Sequence, residues 1–265
     1  MIYRAVLALI LVLLIAFSAP AFCKTDTSAD FRLIDVGDAL QLRSDRAYVL
    51  LRIDTSLDRF SAVLLRIPAQ AEIDAFEQVI HTADGGLRSK KASVYYHGRT
   101  NLYELSSLKA SEKIGKIVTV VAEVPPADYV FYGEGARGSL KECMCLGTVG
   151  FSASAGQITD IGTMFTAYAA KPSVIPELQG EVDLGPSAMM EFAMFAVALR
   201  PQRDGDTIPT GIDVSKVKPA RFHAVGPFVD PNVWTINRLA PIPGVLRYEA
   251  GRVFDVATGR EELGN

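Results

Sequence analysis

Between residues 117 and 164 the chain alternates apolar and mixed positions in short runs punctuated by turn residues. Val118, Val120 and Ala122 alternate with Thr119, Val121 and Glu123, which gives a strand one face to bury and one more mixed face. Pro125 and Pro126 interrupt that ladder, because proline has no N–H to donate to it. From Asp128 to Tyr132 an aromatic and β-branched register resumes, suited to a pleated, half-buried surface. Leu146 to Ser152 and Gln157 to Ile161 are two further runs, with Ala155-Gly156 between them. Upstream, Tyr48 to Ile53 (YVLLRI) and Ala62 to Ile67 (AVLLRI) flank DTSLDRFS, rich in turn-forming Asp and Ser, and read as a β-hairpin. Arg52 and Arg66 hold matching places near the ends of these runs, as on one solvent face. Short strands at close spacing predict a mainly β chain, an antiparallel β-sandwich rather than a parallel α/β sheet.

Pro68 ends the second apolar run. Ile73, Phe76 and Ile80 then fall at helical spacing, opposite Glu72, Asp74, Glu77 and Gln78, and Gly85-Gly86 closes the segment. One inserted amphipathic helix is expected there. Ser93 to Tyr96 and Leu102 to Leu105 read as short strands around a turn. Their tyrosines (Tyr95, Tyr96, Tyr103) lie near His97 and Arg99, an arrangement that could serve as a ligand platform but ordinarily stabilises a sheet.

After Lys171 the texture changes. Ten of the 14 prolines lie between Pro172 and Pro243, which disfavours long helices and wide central sheets. Ser187 to Leu199 (SAMMEFAMFAVAL) is the exception, an apolar helix with Ser187 as N-cap and Pro201 beyond its end. A strand over Phe195 to Leu199 is the alternative for its second half. Ala220 to Val225, Val233 to Ile236 and Val245 to Tyr248 are short strands joined by proline-marked turns. The expected organisation is a signal peptide (1–21), a polar lead (22–30), a β-sandwich domain (31–170) and a Pro-rich extension packed on it (171–265).

The central stretch resembles uncharacterised bacterial envelope proteins with a prealbumin-like (carboxypeptidase-regulatory-like) β-sandwich. Pro125, Pro126, Tyr129, Phe151, Ala155, Gly156, Ile161 and Gly162 carry the likeness, over about Tyr48 to Met164. Where that pattern has a Pro-Gly-x-Tyr turn, this chain has Pro125-Pro126-Ala127-Asp128-Tyr129. The resemblance implies a fold and brings no catalytic residues.

The N-terminus adds an address. Arg4 precedes an unbroken apolar run from Ala5 to Phe17 and then Ser18-Ala19-Pro20-Ala21, the layout of a secretory signal peptide cleaved after Ala21. The run is shorter than the stretch of about 20 residues that a spanning helix needs. An uncleaved N-terminal membrane anchor is the competitor, and lipidation of Cys23 a third option, disfavoured by bulky Phe22. An exported, periplasmic or envelope-associated protein is expected.

Composition mainly excludes. The 27 Lys and Arg residues are scattered and the formal charge is −3, so no nucleic-acid partner is expected. Cys143 and Cys145, one residue apart, could form a strained disulfide, bind a metal or stay reduced; a lone C-x-C is a weak metal signal, and a structural role is preferred. His81, His97 and His223 lie far apart, and Asp35/Asp38 and Asp204/Asp206 offer too few oxygens for a hard cation. No nucleophile elbow, HExxH, P-loop or dinucleotide fingerprint is present. No cofactor and no metal follow from these residues. Trp234, Asn237 and Arg238, in and beside an irregular loop, are the candidate ligand-binding residues. The expectation is a non-catalytic scaffold or binding module, its partner an envelope protein or small ligand, with peripheral membrane association a further option. The alternative is a hydrolase or metal-dependent enzyme whose site assembles only in three dimensions.

Overall fold

The computed structural model describes residues 30–35, 39–57, 60–74, 101–136, 146–168, 172–179, 195–228 and 239–264. Within the described residues, alternating sequence becomes strand at nearly every place it predicts one; the strands expected at 93–96 and 233–236 lie outside the described residues. In chain order the strands are β1 (Arg32–Ile34), β2 (Ala47–Asp54), β3 (Phe60–Arg66), β4 (Leu102–Ser106), β5 (Glu112–Ile114), β6 (Ile117–Val124), β7 (Ala127–Ala136) and β8 (Val149–Ala153). They continue with β9 (Ile158–Tyr168), β10 (Phe195–Arg200), β11 (Val217–Pro219), β12 (His223–Ala224), β13 (Leu246–Glu249), β14 (Arg252–Asp255) and β15 (Glu261–Glu262).

One sheet runs β1-β6-β2-β9-β10, with β5 also on β6 and β11 also on β9; a second runs β12-β8-β7-β3-β4. The fold is a β-sandwich, antiparallel except that β2 and β11 run parallel to β9. Inward residues of both sheets form one continuous core. Val49, Leu51, Ile53, Val118, Val120, Ile161 and Val197 come from the first sheet, and Leu64, Tyr103, Tyr129, Phe131 and Phe151 from the second. Tyr129 anchors the turn that the two prolines predict: its hydroxyl donates to the Pro125 carbonyl at 2.6 Å, and burial pushes its titration up.

The two similar apolar runs do not form a hairpin. β2 lies in the first sheet and β3 in the second, so the chain passes from one sheet to the other between Asp54 and Phe60. The same crossing recurs at Pro125-Pro126, between β6 and β7, and at residues 154–157, between β8 and β9. Turn residues mark a reversal, but only the partner strands decide whether it stays within a sheet.

β9 holds the main irregularity. Leu50 faces Asp160 while Arg52 faces Thr163, so β9 carries one residue more than β2 across that interval. Such a bulge exchanges the faces of a strand. Accordingly Asp160 shares the outer face with Arg52, whereas Ile161 and then Met164 point inward. Gly162 sits in the bulge at φ 84.

Residues after 171 supply strands to both sheets and a small third sheet, β13-β14-β15. Phe195–Arg200 is strand β10, correcting the helix expected to reach Leu199 and matching the alternative for that half. Val197 and Leu199 enter the core while Ala196 and Ala198 pack outward with Ile175 and Leu178. A strand covered on both faces is apolar throughout, the same pattern a buried helix shows. Residues 187–194 lie outside the described residues. A helical turn is described at residues 70–74, where Glu72 accepts the Ala69 N–H at 2.7 Å, half of a capping box; the rest of the expected inserted helix, with Phe76, Ile80 and Gly85-Gly86, lies outside the described residues.

Candidate functional site

Charged side chains placed inside apolar strands are the most distinctive chemistry of the described residues. Arg52 and Asp160 leave adjacent strands on the outer face of the first sheet, 2% and 0% exposed. Two parallel contacts of 2.8 Å join the guanidinium to both carboxylate oxygens. Asp160 Oδ1 also accepts the Gly162 N–H at 2.8 Å, and Arg52 Nε donates to the Thr207 carbonyl at 2.8 Å. Asp206 stands 3.9 Å from Arg52. The pair therefore ties the loop after Arg200 to the sheet, with both carboxylate oxygens engaged. Arg52 is not on a solvent face as its position in the repeat suggested. Arg66 is also shielded, by a two-point contact with Glu72 at 2.7 and 2.8 Å that raises its pKa above the ordinary arginine value.

Glu123 is the centre of a second cluster. Its carboxylate lies 2.9 Å from Arg32, 3.4 Å from Arg46 and 3.7 Å from Arg43, and accepts from the Tyr48 hydroxyl at 3.2 Å. Arg43 also grips Asp45 at 2.8 and 3.1 Å, and Arg46 reaches Asp30. Burial pushes the Tyr48 hydroxyl up. Three arginines thus meet three acids, and the arrangement clamps β1 and the 43–46 turn onto β6 and β2. A third cluster sets Glu177 against Arg200 at 2.8 Å and Arg203 at 3.2 Å, with Arg200 stacked 4.0 Å over Phe165.

The third sheet is fixed by Asp255, which is buried. Its Oδ1 accepts the Thr258 N–H at 2.7 Å, and this bond holds the carboxyl below its ordinary value of 3.8 against the opposing effect of burial. A depressed carboxylate stabilises the fold above its unfolded pKa and loses that contribution as pH falls through the folded value. In urea titrations the stability gap between the wild type and Asp255→Asn is expected to shrink below about pH 4. A gap that stays constant down to pH 2 would show that the carboxylate charge contributes nothing.

The candidates named from sequence are placed as follows. Trp234, Asn237, Arg238, Cys143, Cys145, Cys23, His81 and His97 lie outside the described residues. The flanks of two of these segments are described. β7 ends at Ala136, level with Phe60 at the first residue of β3, and the chain returns through Leu146, whose N–H donates to the Tyr132 carbonyl. Past β12, Phe228 donates to Gly147, and Leu239 re-enters beside Val197. By these registers the described flanks Ala136, Leu146, Phe228 and Leu239 are all directed at one end of the sandwich, the end where β9 and β10 meet at Tyr168 and Phe195. His223 is exposed on the edge strand β12, opposite Gly150. Among the described residues no three His, Cys, Asp or Glu side chains group as a metal site would require.

Sequence reasoning missed Glu123 and Asp160 as buried charges. The available signal was an acid within an otherwise apolar strand, together with arginines in neighbouring segments that could meet it. The chain matches no protein-family model, no curated protein and no solved structure.

Proposed function

We propose that the chain is an exported protein of the bacterial cell envelope that acts as a non-catalytic scaffold or binding module. The observation that carries this reading is the use made of charge. Of the buried charged residues, Arg52, Asp160 and Glu123 are engaged by one another or by the loops they hold down. Catalytic acids and bases are ordinarily kept beside a cleft with environments that push their pKa values apart. A scaffold needs only that loops be held in place. The N-terminal apolar run and its Ala-Pro-Ala exit support export. No helix among the described residues is long and apolar enough to cross a membrane. Trp234, Asn237 and Arg238 are our candidates for the binding surface, and the described residues on either side of them, Phe228 and Leu239, are directed at the Tyr168 and Phe195 end.

The test is the intact mass of the protein isolated from its native envelope, with and without reduction. A chain beginning at Phe22 is expected. Retention of Met1 to Ala21 would replace export and cleavage by an N-terminal anchor, and a lipid-sized excess on Cys23 would make it a lipoprotein. Reproducible turnover of ester, peptide or phosphate probes by the purified chain would overturn the non-catalytic reading.

A further inference from the structure

At one end of the sandwich the chain leaves aliphatic side chains in water with lysines on the same segment; the half-buried Asp54, opposite Ile117, is bonded to the Ser56 N–H. Ser107–Lys109 is a 3-10 turn that carries the chain from β4 toward β5, and β5 and β6 form a tight hairpin with Gly115 and Lys116 at its tip. Leu108 is 51% exposed and Ile114 53%. Lys109, Lys113 and Lys116 are exposed as well. The tip is firmly held: the Lys116 carbonyl accepts from the Thr55 N–H at 2.8 Å and from its hydroxyl at 2.7 Å, which fixes the hairpin to the end of β2. Ile114 stands opposite Ile117 and Lys113 opposite Val118, so an aliphatic and a cationic side chain leave opposite faces of one short edge strand. Residues 107–117 hold three lysines against a single acid, the half-buried Glu112, in a chain whose formal charge is −3.

Lysine on a sheet edge ordinarily guards against pairing with another sheet. That accounts for Lys113 but not for Leu108 and Ile114 half in water beside it. Aliphatic tips that enter a headgroup layer, with ammonium groups left at the phosphates, use both features together. A protein partner would need a cavity shaped to this convex turn, whereas a bilayer accepts a convex tip without one.

We propose that the rim formed by Leu108, Lys109, Lys113, Ile114 and Lys116 docks the sandwich on an anionic lipid bilayer. This names a partner surface, goes beyond the scaffold reading and does not depend on it. The test is sedimentation of the full chain with two kinds of vesicle, one of equal parts phosphatidylglycerol and phosphatidylcholine and one of phosphatidylcholine alone. The wild type is expected to partition more strongly into the anionic vesicles and to release with added salt. A lysine near an anionic surface is worth about fivefold in binding, so Lys109→Gln, Lys113→Gln and Lys116→Gln together should weaken partitioning about 100-fold. Ile114→Ser should weaken it into both vesicles. All four sites are exposed, so circular dichroism and thermal melting should match the wild type. Equal partitioning of the wild type into both vesicles, or a triple variant that partitions as the wild type does, would overturn the proposal and leave the lysines as guards of the sheet edge.

Discussion

Asp160→Ala is expected to destabilise the protein by about 3–5 kcal/mol, because it leaves the Arg52 guanidinium buried without its counter-charge. The same change strips the acceptor from the Gly162 N–H inside the bulge. For a chain of this size the loss corresponds to a fall of about 10 °C in melting temperature. Urea denaturation followed by near-ultraviolet and far-ultraviolet signals gives the value, provided both transitions coincide. An apolar double replacement, Arg52→Met with Asp160→Leu, should recover much of the loss, since both desolvated charges are then gone. A single variant that loses less than about 1 kcal/mol would show that water reaches the pair and screens it as at a surface.

Gly162→Ala is expected to be at least as damaging, for a reason of backbone rather than charge. The residue holds φ at 84, and a Cβ there would stand 1.9 Å from the Arg200 carbonyl oxygen, a backbone atom of the neighbouring strand. Something must shift, and what shifts is the β9–β10 ladder. A loss of about 4 kcal/mol or more follows, or failure to accumulate folded protein. Gly205 supplies a matched control at φ 88 with nothing within 4 Å of the added carbon, so Gly205→Ala isolates the conformational strain at about 1–2 kcal/mol. Equal costs at the two sites would mean that β10 yields freely, contradicting the close approach.

Most of the sandwich was legible because alternation survives burial on one face. β4, β6, β7 and β8 can be read from their inward residues, and the double proline marks the end of β6. What escaped is instructive in physical terms. YVLLRI and AVLLRI look like the two arms of a hairpin, since a reversal of direction needs the same Asp and Ser whether or not the arms pair. Both strands are buried on each face, so neither sequence names its neighbour. FAVALR escaped in the other direction: covered on both sides, it lost the alternation that would have separated it from a helix. Arg52 and Arg66 were read as solvent-facing because charge is usually exposed, and the acids that shield them lie 108 and 6 residues away. The first separation is invisible to local pattern. The second, Arg66 to Glu72, spans a strand end and a helix start, and could have been guessed once the capping position of Glu72 was recognised.

The crossing turns have a consequence in time. β2 finds its parallel neighbour β9 only after the chain has passed twice into the opposite sheet, and the Arg52–Asp160 contact joins residues 108 apart. Contacts of such long sequence separation slow folding, because loop closure must precede any gain from pairing. The central ladder of the first sheet cannot close until the chain is complete through Met164. Under the export proposed above, such a chain emerges N-terminus first, and β2 has β6 beside it but lacks its β9 neighbour until Met164 has followed.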